Sequence, residues 1–121
     1  EKLNLVRSFN NDKDGRLFIQ TTNEHILMFF KDILKIESYG NYSYIYDKGG
    51  DKFLASKNLK YYETLLPSNI FFKANRTAVV NINHIKSVYK QETITLLDNS
   101  KTRVSVRNKS NLTQLMETFN S

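Results

Sequence analysis

Short runs of apolar and β-branched residues, each closed by Asn, Asp or Gly, recur from Leu17 to Val104. Such runs predict strands, because side chains alternate between faces at period two, while Asn, Asp and Gly tolerate the backbone of a tight turn. Leu17 to Thr22 and His25 to Phe30 make a first pair. Ile33 to Tyr39 ends at Gly40-Asn41, Tyr42 to Lys48 ends at Gly49-Gly50, and Lys52 to Ser56 completes a hairpin. Ile85 to Tyr89, Thr93 to Leu97 and Lys101 to Val104 repeat the texture, with Asp98-Asn99-Ser100 as a turn. Two stretches depart from it. Asn58 is placed to cap a helix over Leu59 to Leu66 that Pro67 and Ser68 end. Leu112, Leu115, Met116 and Phe119 fall at helical spacing behind Ser105 or Ser110 as caps. The expected fold is mostly β, with a short middle helix and a C-terminal helix.

Length and composition narrow what such a fold is for. At 121 residues and 40% hydrophobic content, the chain is one domain with a core of its own. It has no cysteine, which excludes disulfides and thiolate metal sites and makes the reducing cytoplasm its natural setting. No apolar run approaches a membrane span, so no membrane partner is expected. The start at Glu1 and the absence of a signal-peptide pattern read as a piece of a longer protein, with residues 1–16 as linker or extension and 17–121 as the domain.

The formal charge of +6 is lopsided, since residues 64–121 carry eight Lys/Arg against three Asp/Glu. Clustered cations favour a polyanion, because counterions released from nucleic acid reward them, although a solvated basic face has the same composition. Equipment for catalysis is missing: no GxSxG, HExxH or glycine-rich phosphate loop is present, and His25 and His84 stand too isolated to hold a metal. Neither an enzyme nor a cofactor is expected. Asn10, Asp12, Asp14 and Gly15 match the first half of an EF-hand loop, but Thr21 stands where a bidentate Glu is needed, so a turn is expected. Asn-x-Ser/Thr triplets begin at Asn41, Asn75, Asn108 and Asn111, as they readily do among 14 Asn.

Three segments hold candidate binding chemistry. In Phe71 to Val88, the apolar anchors Phe71, Phe72, Val79, Val80, Ile82 and Ile85 flank Lys73, Asn75, Arg76 and Thr77, donors suited to phosphates and base edges. Between Glu37 and Tyr46, four tyrosines accompany Asn41 and Ser43; alternation of Tyr42, Tyr44 and Tyr46 suits packing, while Asn41 and Ser43 near the turn suit a partner. From Lys101 to Lys109, Lys101, Arg103 and Arg107 alternate with small residues, which describes either a groove-facing fork or a charged strand edge.

In order along Leu17 to Phe119, these segments resemble the LytTR family of DNA-binding domains. Asp32-Ile33-Leu34-Lys35-Ile36-Glu37-Ser38 followed by Gly40-Asn41-Tyr42 is similar to that family's strand and turn, and Phe71 to Asn81 resembles its central signature, continued by Ile85 and Val88. The chain departs by having Asn75 and Thr77 where the family commonly has His before the Arg or Ser after it. The resemblance implies a multi-sheet β fold whose loops enter successive major grooves. It implies base contacts at Arg76, Arg107 and Ser43, with Lys73, Asn75, Thr77, Asn41, Lys101 and Lys109 on the DNA backbone. It also implies a transcription regulator's output domain behind a receiver domain, bound as a homodimer to paired direct repeats of double-stranded DNA. Two other readings stay open: a single-stranded nucleic-acid binder stacking bases on Tyr39, Tyr42, Tyr44 and Tyr46, and a protein-interaction β domain.

Overall fold

Neighbouring apolar residues in the middle of this chain point to opposite sides of one sheet, so the sheet needs a cover on both faces. The computed structural model, which describes residues 15–120, supplies both. The central sheet is antiparallel, in the order β5-β4-β3-β7-β6. Its strands are β3 (Ile33–Tyr39), β4 (Tyr42–Asp47), β5 (Lys52–Ala55), β6 (Phe71–Asn75) and β7 (Ala78–Asn81). On one side lie Ile33, Ile36, Ile45, Phe71 and Val79, packed against the hairpin of β1 (Arg16–Gln20) and β2 (His25–Phe29) and helix α1 (Leu59–Glu63). On the other lie Leu34, Phe72, Ala74 and Val80. These pack against a second sheet, ordered β10-β9-β8, and helix α2 (Lys109–Phe119). The strands of that sheet are β8 (Ile85–Tyr89), β9 (Thr93–Leu96) and β10 (Lys101–Arg103). A sheet buried on both faces reads as unbroken apolar pairs rather than alternation, which explains Phe71-Phe72 and Val79-Val80.

The strands expected from the sequence all form, as do both helices, with two differences at the helix ends. Helix α1 starts as expected, the Asn58 side chain accepting from the Tyr61 amide at 2.9 Å. It stops at Glu63 rather than Leu66, because Pro67 disfavours helical backbone at the residue before it. The amides of Leu65 and Leu66 instead converge on the Tyr62 carbonyl. Neither Ser105 nor Ser110 caps α2: the chain makes a 3-10 turn over Val106–Asn108, and Asn108 occupies the cap position without a side-chain cap bond. The Asn108 side chain is drawn away to the Ala74 carbonyl, 3.4 Å distant. Strand β1 begins at Arg16, one residue inside the stretch assigned to the linker, while Asn10, Asp12 and Asp14 of the calcium-like turn lie outside the described residues.

Asn81 joins the layers. Fully buried, it donates to the carbonyls of Phe30 and Ile33, each at 2.9 Å, and accepts from the Asn83 amide at 2.9 Å. One amide thus satisfies three backbone groups where the chain enters and leaves the central sheet.

Candidate nucleic-acid interface

Antiparallel pairing brings two of the polar segments to the same end of the central sheet. Glu37 lies opposite Ala78, so the β3–β4 turn, Gly40-Asn41, arrives beside the β6–β7 turn, Arg76-Thr77. The Ser38 amide donates to the Thr77 carbonyl at 2.8 Å and ties the turns together. Gly40 makes the first turn possible with φ of +59°, a left-handed conformation that a side chain disfavours.

The third segment reaches this end from the other sheet. Asn75 Nδ2 donates to the Arg103 carbonyl at 2.6 Å, and the Ser105 amide donates to the Ala74 carbonyl at 2.9 Å. The 3-10 turn carrying Arg107 is therefore fastened to the strand that leads into Arg76. Arg76 and Arg107 are both exposed, and their side chains have no ion pair or hydrogen bond among the described residues. Two guanidinium forks with uncommitted donors sit on adjoining, braced loops, the arrangement that bidentate recognition of a phosphate or a guanine edge requires.

The remaining candidates divide sharply. Ser43 is fully buried, and its hydroxyl donates to the Lys57 carbonyl at 2.9 Å. It cannot meet a base edge, because on β4 it points into the core beside Ile45 rather than out from the turn. Lys73 forms an ion pair with Glu63 at 2.8 Å, on the α1 side of the sheet. Asn75 spends its oxygen on the Thr77 amide and hydroxyl, both at 2.8 Å, as well as its nitrogen on Arg103. Thr77 and Asn41 are exposed on their turns. Lys101 is exposed at the start of β10 and touches Thr95 Oγ1 at 3.2 Å, while Lys109 pairs with Glu92 at 3.5 Å. Arg103, mentioned in the sequence only for its alternation, is exposed between the Arg76 and Arg107 loops.

The tyrosines line the part of the sheet that β8–β10 leave uncovered. Tyr39 and Tyr44 rings lie 4.9 Å apart, and Lys52 Nζ sits 4.2 Å from the Tyr44 ring centre and Lys35 Nζ 4.6 Å from that of Tyr46. Tyr39 and Tyr42 are exposed. Burial, with the Glu37 carboxylate bonded to it, pushes the Tyr46 hydroxyl up to about 12. Burial pushes Asp98 upward too, but the hydroxyl and amide of Ser100 and the charge of Lys35 outweigh it and hold Asp98 below its ordinary value. His25 stacks edge-on against Phe18, and His84 shares a 2.7 Å hydrogen bond with the Lys31 carbonyl, both structural contacts. Among the described residues no group of His, Asp and Glu has metal-binding geometry, and no helix is long and apolar enough to cross a membrane.

A family model for the LytTr DNA-binding domain matches residues 23–117, nearly the whole described chain. The chain belongs to the LytTR family. Comparison with the curated proteins finds no match. Among solved structures, one similar chain is the LytTr DNA-binding domain of a protein described as a methyl-accepting/DNA response regulator from Bacillus cereus. It shares 24% identity and a TM-score of 0.70, over 84% of this chain and 95% of that one. At that identity the likeness establishes the fold, a mostly β LytTR fold with a C-terminal helix. As a LytTR domain, the protein binds DNA in the regulation of transcription, and the family is one of DNA binders rather than enzymes.

Proposed function

We propose that this LytTR domain reads duplex DNA by sequence, with Arg76 and Arg107 placed on base edges in the major groove. The observation that carries this is the pairing of two exposed, uncommitted guanidiniums on loops braced to each other at one end of the molecule. Bidentate contact with guanine O6 and N7 is the chemistry that such a fork serves best. Asn41, Thr77 and Lys101 flank the arginines as contacts to the sugar-phosphate backbone, and Arg103 joins them. Lys109 takes part only by exchanging Glu92 for a phosphate, and Lys73 would have to give up Glu63. In the full protein we place this domain as the cytoplasmic output end of a two-component response regulator, behind a receiver domain and acting as a homodimer on paired direct repeats.

The single-stranded reading is weakened by the tyrosines themselves. Lys52 and Lys35 lie over the faces of Tyr44 and Tyr46 that bases would need, leaving Tyr39 and Tyr42 as a short platform. Selection from a pool of randomised duplexes, followed by salt titration of the winner, separates the readings. Enrichment of one motif is expected, with affinity falling steeply as salt rises. An unenriched duplex pool, or stronger binding to single strands, would sink the proposal.

A further inference from the structure

We infer that Asn75 is a positioning residue that sets the spacing between the two arginine loops, rather than a contact to DNA. The inference rests on the proposed reading for its consequence on DNA, but its geometry stands in the free protein. Asn75 closes β6 at an irregular step of the β6–β7 register. Its oxygen accepts from both the amide and the hydroxyl of Thr77, which shapes the turn that carries Arg76. Its nitrogen donates to the carbonyl of Arg103, the last residue of β10 and the start of the path to Arg107. Arg76 lies in a turn of the central sheet and Arg107 in the 3-10 turn that follows β10 of the other, so the distance between the base positions they reach depends on how those sheets dock at this edge. Few bonds hold that edge: besides Asn75, the Ser105 amide and the Asn108 side chain both converge on the Ala74 carbonyl.

The chemistry of the position is specific. One group must accept on the central sheet and donate to the other sheet, and an amide carries both functions on one short side chain. Aspartate has the acceptor without the donor, alanine has neither, and glutamine reaches one methylene too far. A phosphate, an acceptor, could use only the donors of the amide nitrogen, which is already turned to the Arg103 carbonyl, while the oxygen is bonded twice and offers an anion nothing.

Asn75→Asp and Asn75→Ala take the two halves of the clamp apart. In the free protein, hydrogen exchange at the Ser105 amide should quicken about tenfold in both variants, whereas the Thr77 amide should lose protection only in Asn75→Ala. On DNA, the positions read by each arginine are first defined by the preferences lost in Arg76→Ala and Arg107→Ala. Asn75→Asp should then lose about tenfold of the preference at the Arg107 positions while keeping that at the Arg76 positions, and Asn75→Ala should lose preference at both. An even loss across all sequences in Asn75→Ala, with preference kept at the positions of both arginines, would make Asn75 a phosphate contact and overturn the inference. Unchanged exchange at Ser105 would overturn it as well. If the parent itself shows no base preference, the reading of DNA by sequence fails, and the exchange data alone decide whether the clamp exists.

Discussion

An arginine without a partner inside its own protein keeps its full fork of donors for one outside it. Among the described residues Arg76 and Arg107 meet that condition, and truncating either to alanine should weaken binding to the selected duplex by about 1–3 kcal/mol and relax preference at separate base positions. Equal weakening on every sequence would instead make them phosphate contacts. Lys73 is the contrasting case, a cation of the same central motif whose charge is met by Glu63. With both partners partly exposed, Lys73→Ala should cost at most about 1 kcal/mol of stability, and its salt slope for DNA binding should match the parent's. A slope shallower by about 1 would show that Lys73 leaves Glu63 for a phosphate. Ser43→Ala should lower stability by about 1 kcal/mol through the Lys57 carbonyl it leaves unpaired, while the selected motif stays the same. Denaturant titration beside the selection experiment reads both effects.

At the scale of elements, the fold depends on where short strands hand the chain from one layer to another. Asn81 governs one of these crossings, at the end of β7 and beside the 3-10 turn Phe30–Asp32 that leads into β3. Asn81→Ala strands the carbonyls of Phe30 and Ile33 and the amide of Asn83, all bonded to it, and should destabilise the domain by about 3 kcal/mol in denaturant unfolding. A loss below about 1 kcal/mol would mean that water replaces the side chain there. The helix ends teach a related lesson. Asn58 caps α1 because its partner, the Tyr61 amide, is local, whereas no serine caps α2 because contacts with β6 rearrange the chain just before it.

For the molecule as a whole, β8–β10 cover only part of their face of the central sheet, and on the β4–β5 part of that face tyrosine rings and lysines replace a protein cover. Tyr46 at the boundary of that part titrates near 12 when folded but near its ordinary 10 when unfolded. Its folded-state value is raised, so its contribution is complete below pH 10 and is lost as pH climbs toward 12. Tyr46 should therefore cause no change in thermal stability between neutral pH and about pH 10 and a fall above it, and that fall should be smaller in Tyr46→Phe. Some decline should persist in that variant, because burial raises Tyr62 as well. Identical pH profiles for parent and variant would remove Tyr46 from the explanation.

Local chemistry was written plainly in the chain. Strand texture, the glycine turn at Gly40, the Asn58 cap and the basic second half are properties of neighbours in sequence, and each could be read without a fold because backbone preference and charge are local. Lys73, Asn75, Arg76 and Thr77 look alike at that level, a run of polar side chains between apolar anchors. Tertiary structure separated them, giving Lys73 to Glu63 and Asn75 to Thr77 and Arg103 while leaving Arg76 exposed. It likewise buried Ser43, whose neighbour Asn41 is exposed only two residues away. Residue type determines what a side chain can offer. Whether the offer is taken up inside the protein depends on partners tens of residues away, and only the packing of the sheets brings those partners within hydrogen-bond reach.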